Sequence, residues 1–374
     1  MILSVLIALS PIYGIYLNRH QASREAFMKK IYLKADDGLI NAIVIDIKDD
    51  HGVIPYRSKV ELANIANAVS PSLNIDSLKA KAVRHNLKLI ARIAVFRDDR
   101  LSRIEDYAIK DRDSLPNRWV DSKGIGWVDP YNRRVWEYNT TLANEILSRG
   151  FDLVLFDYVR FPSDGELQRC IYSDDKDRYH TIEAFVRYVK KEIGDFGICV
   201  FGYSVWRPLK REGQRLKTFK EIKAICPMLY PSHFSPKFCA EKGSERPYYI
   251  YFNSTRRLKD SLPDVAVYPF VQGFDYLTKK FEPEYIESQI EGLIDGGGDG
   301  FFIWHAAGDY DVAWKALERI GGRMIAFRIG RGSHRARRGH RDRGKDYQQA
   351  RIRTPFRKRT RIRPLHDSQS GILP

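Results

Sequence analysis

The residues best suited to chemistry in this sequence are aspartates that stand where predicted strands end. The clearest is Asp157, in the segment FDLVLFDYVRFPSDG, where an apolar run over residues 153–156 stops at a carboxylate. A run that is apolar on both alternating faces is typical of a strand covered on both sides, as in parallel α/β sheets. Asp157 therefore falls at the carboxyl end of such a strand, where barrels and open α/β sheets place their active sites.

A structural role for Asp157 is the alternative to a catalytic one. A buried carboxylate can be held by an arginine such as Arg160, or by a helix N-terminus, without taking part in any reaction. Buried carboxylates are rare unless they are paired or used. The sequence favours the catalytic role and leaves the pairing with Arg160 open.

Other predicted strand ends carry residues of the same kind. Three further aspartates complete a predicted ring of candidate catalytic carboxylates with Asp157: Asp46, Asp275 and Asp309. The candidate substrate-binding residues that accompany them are Tyr158, Arg160, Tyr203, Trp206, Tyr230, Gln272, Trp304 and His305. Cleavage of a glycosidic bond needs this combination, because one carboxyl protonates the leaving oxygen, another acts at the anomeric carbon, and flat rings stack on sugar faces.

Motifs of other enzyme classes are missing from the sequence. It contains no P-loop, no GxGxxG after the first predicted strand and no HExxH, which argues against nucleotide and zinc-protease chemistry. The segment GYSVW lacks the GxSxG pattern of α/β-hydrolases. The cysteines Cys170, Cys199, Cys226 and Cys239 have neither CxxC spacing nor a histidine at zinc-finger spacing. We therefore predict no metal and no organic cofactor.

Alternating strand and helix patterns must position these residues. The predicted strands cover residues 12–17, 41–48, 87–96, 153–156, 197–205, 225–230, 265–274 and 300–304. The predicted helices cover residues 21–33, 75–85, 129–150, 181–193, 219–224, 248–262, 283–294 and 311–320. Eight such units over about 320 residues match an α/β fold of the (β/α)8 TIM-barrel type with loop insertions.

The connection at residues 97–128 is too long for an ordinary turn. It follows the third predicted strand and carries Tyr107, Trp119 and Trp127. A loop of this length is typical of a functional segment or lid. Its aromatic residues can stack on sugar rings or form a small core that holds the loop down, and the sequence leaves both interpretations open.

The two ends of the chain differ in composition from the predicted barrel at residues 12–322. Residues 1–11 begin with MILSVLIALS, which is shorter than the ~20 residues of a membrane span and has no basic segment before it. A degenerate export signal, a truncated anchor and an apolar lead-in are all compatible with it, and neither it nor the cysteines assign a cytoplasmic or an exported location.

The C-terminal tail, residues 323–374, holds 16 Lys or Arg and 3 Asp, and so carries +13 of the formal +16 of the chain. It has no apolar periodicity, so we predict disorder. Weak contact with nucleic acid or an anionic surface is one interpretation of this charge. A solvated extension without a partner, or an unusual C-terminus produced by a frame change, is the other.

Eight successive segments resemble the blocks of one known family. They read NAIVIDIKDDHGVIPY, ARIAVFRD, GWVDPYNRRVWEYN, FDLVLFDYVRFPSDG, VFGYSVW, CPMLYPSHF, YPFVQGFDY and FFIWHAAGDY. In this order they are similar to the putative glycosyl hydrolase domain family, whose members are barrels of largely unknown substrate. The resemblance covers residues 13–320 and implies a glycosidase-like barrel that acts on a polysaccharide or oligosaccharide, with Asp157 as the strand-four carboxylate of the family.

One position departs from the family pattern. The resemblance implies an acidic residue just before VFG on strand five, and this chain has Cys199 there. If that acid is the proton donor of the family, this chain is weakened or inactive. Two functions therefore stay open, a glycoside hydrolase that acts through Asp157 and a second carboxylate, and a carbohydrate-binding barrel that has lost its proton donor.

Overall fold

The computed structural model describes residues 11–321, and its central feature is a closed barrel of parallel strands. The strands are β1 Ile12–Leu17, β2 Ala42–Lys48, β3 Lys88–Ala94, β4 Lys110–Asp111, β5 Leu153–Asp157, β6 Cys170–Ile171, β7 Gly197–Phe201, β8 Ala224–Met228, β9 Ala266–Val267, β10 Phe270–Gln272 and β11 Gly300–Trp304. The helices are α1 Arg19–Ser23, α2 Glu25–Asp36, α3 Glu61–Ile65, α4 Ile75–Arg84, α5 Arg133–Ser148, α6 Arg178–Ile193, α7 Arg246–Ser261, α8 Pro283–Asp295 and α9 Asp311–Arg319.

The barrel closes through its seventh strand position, which is split in two. Strands β11, β1, β2, β3, β5, β7 and β8 pair in that order, all parallel. Strand β9 pairs with β8, and after the interruption at Pro269 strand β10 pairs with β11 and with Met228 of β8. Proline has no N–H to donate to a ladder, so a break there is expected. The predicted (β/α)8 barrel is confirmed.

Two apolar layers stabilise the barrel, one between its strands and the surrounding helices and one in its interior. Alternation along each strand decides which layer an apolar side chain joins. On β2, Ile43, Ile45 and Ile47 face the surrounding helices, whereas Ala42 and Val44 fill the barrel interior. Side chains of a strand alternate with period two, so the next inward position after Val44 is residue 46. The same rule applies around the barrel and decides which strand-end residues reach its mouth.

The long connection between β3 and α5 is held down by its own aromatic core. Tyr107, Trp119 and Trp127 are at most 2% exposed. The Trp119 indole donates to the Glu166 carbonyl, 3.1 Å away, which ties this loop to the one after β5. Of the two interpretations left open, the structure supports the core-forming one for all three rings.

Several predicted helix details are wrong for local reasons. The first helix splits at Arg24 into α1 and α2, and Asn18 caps α1 through its side chain. The helix predicted to begin at Asp129 begins at Arg133, because Asn132 provides the cap.

The short helix predicted at residues 219–224 is also wrong. A 3-10 turn occupies Leu216–Phe219. Ala224 pairs with Gly197 as the first residue of β8, and this pairing leaves no room for a helix up to residue 224.

The predictions for the two chain ends fall almost entirely outside the described residues. This applies to the apolar lead-in, of which only Pro11 is described, and to the basic tail at residues 323–374. Within residues 11–321, no helix has the length and apolar character needed to span a membrane.

Candidate active site

Inward-facing side chains from three neighbouring strands meet near the carboxyl end of the barrel. Asp46 follows Val44 on β2, and Asp157 ends the same alternation on β5. Between them, on β3, stands Arg92, whose Nη1 lies 2.6 Å from Asp46 Oδ1. Its Nε and Nη2 lie 2.8 and 2.7 Å from Asp157 Oδ2. One guanidinium therefore holds two carboxylates that are 111 residues apart in sequence.

Burial and hydrogen bonding act in opposite directions on Asp46. The residue is 3% exposed, and burial raises the pKa of its carboxyl to about 6 even though Arg92 and the Tyr16 hydroxyl favour the ionised form. The Tyr16 hydroxyl donates to Asp46 Oδ2 at 2.5 Å. Burial, followed by the charge of Asp46, raises the pKa of Tyr16 well above its usual range. Burial therefore favours the protonated form of Asp46, whereas its two hydrogen-bond donors favour the ionised form.

An aromatic platform lies beside the two carboxylates. The rings of Tyr16 and Trp304 stack with their centroids 3.6 Å apart and 13° between their planes. The Arg92 guanidinium lies 5.2 Å from the Trp304 ring. Trp304 is half-buried, so part of its surface stays open at the mouth of the barrel. A partly open indole next to carboxylates is suited to the face of a sugar ring.

The backbone after β5 orients Asp157. Tyr158 has a φ of 53°, in the left-handed region that bulky residues rarely adopt. In this conformation its amide donates to Asp157 Oδ1 at 2.6 Å, while Asp157 Oδ2 receives Arg92. Such strain persists only where the surrounding structure imposes it, and it is concentrated at functional sites. Arg160, the partner considered for Asp157 from the sequence, does not form that pair, and Arg92 takes its place.

A second charged cluster supports Tyr158 from the other side. The Tyr158 hydroxyl donates to Asp50 Oδ2 at 3.2 Å, and Arg97 bridges Asp50 and Asp121. Burial by itself would raise the pKa of Asp50, but the charges of Arg97 and then Arg92 outweigh it, and the pKa is lowered. This cluster holds the Tyr158 side chain in place above Arg92, Asp46 and Asp157, which together are called the Arg92 group.

The predicted aspartates at the other strand ends lie apart from the Arg92 group. Asp275 is exposed on the loop after β10 and accepts a hydrogen bond from the Thr278 hydroxyl. Asp309 is exposed after β11, where its carboxylate accepts the amide of Asp311 at 3.2 Å. His305 contributes Nδ1, 3.3 Å from the Asp309 amide, and burial lowers the pKa of its imidazole.

Three predicted substrate-binding residues are occupied by protein contacts. Gln272 is fully buried, and its side chain links the loops that follow β8 and β10. The Tyr203 hydroxyl accepts the Ser235 amide at 2.6 Å. The Trp206 indole donates to Ser254 on α7 at 3.0 Å. These contacts give all three residues a structural role.

Tyr230 and Cys199 face the barrel interior. The Tyr230 hydroxyl makes no hydrogen bond to any residue in the described part of the chain. Ile198 is in register with Phe156, which places Cys199 at the level of Asp157 on the neighbouring strand. Burial, followed by the charge of Asp157, raises the pKa of Cys199 well above its usual range. Where the family resemblance implies an acid, the site has a neutral thiol.

Sequence reasoning left Arg92 out of the candidate site, along with Tyr16 and Asp50. A signal for Arg92 was present, because a charged residue inside the apolar strand ARIAVF is unusual and calls for a partner. No group of three or more His, Cys, Asp or Glu side chains within residues 11–321 is arranged to hold a metal ion.

Comparison with known families matches residues 14–310 to the model of the putative glycosyl hydrolase domain. The chain belongs to this family. The match covers every barrel strand except the first residues of β1, and therefore includes Asp46, Arg92, Asp157 and Trp304. No curated protein gives a significant match.

Solved structures of glycoside hydrolases share the fold. The glycoside hydrolase domain of PgaB (BpsB) from Bordetella bronchiseptica aligns with a TM-score of 0.56 at 10% identity, over 87% of this chain and 99% of that one. The GH36 α-galactosidase AgaB from Geobacillus stearothermophilus aligns with a TM-score of 0.52 at 12% identity, over 86% of this chain and 42% of that one.

The α-galactosidase TtGalA from Thermus thermophilus aligns with a TM-score of 0.51 at 14% identity, over 86% of this chain and 62% of that one. This chain therefore spans less than two thirds of the length of either α-galactosidase. At these identities the likeness describes the barrel fold alone.

Proposed function

We propose that this chain is a glycoside hydrolase that cleaves a polysaccharide or oligosaccharide at the mouth of its barrel. The observation that carries the proposal is the Arg92 group, in which one buried guanidinium holds Asp46 and Asp157 beside the half-buried indole of Trp304. Two carboxyl groups in different environments next to an aromatic platform are what hydrolysis of a glycosidic bond requires. Membership of the putative glycosyl hydrolase domain family supports the same reaction class.

Asp157 is the carboxylate assigned to the anomeric carbon. Its Oδ2 accepts two N–H groups of Arg92 and its Oδ1 accepts the Tyr158 amide, and these bonds fix the orientation of the carboxylate. It would act as nucleophile, as base toward a water, or as the charge that stabilises an oxocarbenium-like transition state.

Asp46 is the carboxyl assigned to proton transfer. Because burial brings its pKa to about 6, it carries a proton below that pH and can release it during the reaction. Trp304 supplies the surface on which a sugar ring stacks. Asp275 and Asp309 are assigned no step, since both lie exposed outside the Arg92 group.

A second candidate function is a carbohydrate-binding barrel with little or no turnover. The observation that favours it is Cys199, a neutral thiol beside Asp157 in place of the acid that the family resemblance implies. The two candidates share a ligand and differ in whether the bond is cleaved.

The test is a search for new reducing ends after the purified protein is incubated with a panel of polysaccharides, run in parallel with Asp157→Asn. A hydrolase should lose turnover by at least about 1,000-fold in the variant, which corresponds to about 4 kcal/mol of transition-state stabilisation. Affinity electrophoresis on the same polysaccharides reports binding separately. Binding without reducing ends in the parent protein would establish the binding barrel, and equal turnover in Asp157→Asn would remove Asp157 from the mechanism.

A further inference from the structure

Arg160 is a buried cation without a carboxylate partner. The residue is 9% exposed and lies on the loop after β5, three positions from Asp157. No carboxylate in the described part of the chain is within salt-bridge distance of its guanidinium. Asp157, Asp164 and Glu212 act on it only through longer-range attraction.

Two arginines near Arg160 are paired with carboxylates, whereas Arg160 is not. Arg92, Arg97 and Arg160 surround the ring of Tyr158 at 5.9, 5.5 and 5.0 Å. Arg92 is neutralised by two aspartates, and so is Arg97. Arg160 has none, although a desolvated charge is costly unless it is paired.

The other contacts of Arg160 are with aromatic rings and, through Nη1 at one edge of its guanidinium, with two hydrogen-bond acceptors. Its guanidinium lies 4.4 Å from the Phe201 ring and 4.9 Å from the Trp127 ring. Nη1 donates to the Phe161 carbonyl at 3.1 Å and to the Ser163 hydroxyl at 3.2 Å. Nε and Nη2 donate to no described residue.

The unused edge has the geometry of a carboxylate receptor. Nε–H and Nη2–H of a guanidinium point in parallel and match the two oxygens of a planar carboxylate. The aromatic rings exclude water around the guanidinium, and exclusion of water strengthens such a contact. The position is also suitable, because Phe201 ends β7 at the barrel mouth and Tyr158 adjoins the Arg92 group.

We propose that Arg160 binds the carboxylate of a uronic acid unit, so that the substrate is an acidic polysaccharide or oligosaccharide. The inference rests on the proposed function for the location of the cleft, but it concerns recognition and can be measured without turnover. Arg160 acts here as a specificity-determining residue and performs no step on the reacting bond.

The experiment compares two forms of one ligand. Uronate-containing oligosaccharides and the same oligosaccharides with each carboxyl reduced to a primary alcohol are titrated into the protein by calorimetry. The parent protein should bind the acidic form about 10- to 100-fold more tightly, the range expected for a charge-assisted bidentate contact. Arg160→Met keeps the packing against the rings and should remove that ratio, while Arg160→Lys, which keeps the charge but lacks the fork, should give an intermediate ratio.

Arg207→Met is the matched control. Arg207 also stacks on a tyrosine ring, that of Tyr203, but it is exposed and lies two residues beyond the 3-10 turn Gly202–Val205 that follows β7, so its loss should leave the ratio unchanged. Four results would overturn the inference: a parent protein that binds both forms equally, one that binds neither, an unchanged ratio in Arg160→Met, or a stronger preference for a sulfated oligosaccharide than for the uronate.

Failure of this inference is distinguishable from failure of the proposed function. An active enzyme with no preference for the acidic form would contradict the role of Arg160 alone. A protein that discriminates between the two forms but releases no reducing ends would contradict the hydrolase and leave the role of Arg160 standing. If Arg160→Met does not fold, the parent ratio and Arg160→Lys still decide the outcome.

Discussion

Two pairs of aspartates lie near the carboxyl ends of strands in the same barrel, one pair inside the strands and the other in the loops beyond them. Asp46 and Asp157 are inward-facing residues of β2 and β5 and are 3% and 6% exposed. Asp275 and Asp309 lie three and five residues beyond the ends of β10 and β11 and are exposed. Alternation positions a side chain only while the backbone is still in the strand. The comparison shows that a carboxylate must belong to the strand itself to join the buried group.

The largest expected effect comes from removing the cation that joins the buried pair. Arg92→Met leaves two buried carboxylates without their counter-charge, so we expect the free energy of unfolding to fall by about 3–5 kcal/mol and turnover to be lost. Urea denaturation measures the first effect and reducing-end release the second. Arg319→Met, which breaks exposed pairs with Glu284 and Glu287, is the control and should leave stability essentially unchanged. Equal stability losses in the two variants would show that the Arg92 group contributes no more than a surface pair.

A smaller effect is expected from restoring an acid beside Asp157. Cys199→Asp places a carboxyl on the neighbouring strand at the level of Asp157, and we expect turnover to rise by about 100-fold, the lower range for a positioned acid or base. Cys199→Ser has nearly the same size and no acid, and should change nothing. A folded Cys199→Asp variant with parental activity would mean that proton transfer by Asp46 is sufficient and that a second acid on strand five adds nothing to turnover.

The pH dependence of the reaction tests the role of Asp46. A proton donor with a pKa of about 6 is protonated below that pH, and its protonated fraction falls tenfold for each further pH unit above it. The ratio kcat/KM should therefore decline with that slope above about pH 6. Asp46→Asn should be slower and should lack this decline. A parent profile that is flat from pH 5 to pH 8 would exclude Asp46 as the acid.

The smallest effect is expected at the rim of the barrel, where Asp275 and Asp309 lie exposed. Asp275→Asn and Asp309→Asn remove charges that are exposed and outside the Arg92 group, so each should stay within about twofold of the parent in kcat/KM, as surface changes usually do. The same substitution at Asp157 is the matched comparison. A loss of 100-fold or more at either rim position would overturn the distinction between the two pairs and return that aspartate to the catalytic candidates.

Local sequence patterns are enough to predict the barrel and its strongest candidate catalytic residue. Strands β1 and β11 begin and end at the predicted residues, since their apolar runs are bounded by turn residues that act locally. Asp157 was found for the same reason, because the end of an apolar run is visible in a short stretch of chain. The extra break at Arg24 and the late start of α5 were missed, since single caps decided them.

The surroundings of Asp157 depend on how the barrel closes and cannot be predicted from local patterns. Its partner is Arg92 on β3, 65 residues away, although Arg160 is three residues away, because pairing depends on which strands are neighbours and in what register. Burial at the barrel mouth set the raised pKa of Asp46, and no local pattern encodes burial of that kind. The same packing left Arg160 among aromatic rings without a counter-charge. Periodicity is a property of a few consecutive residues, whereas the meeting of residues 46, 92 and 157 is a property of the closed barrel.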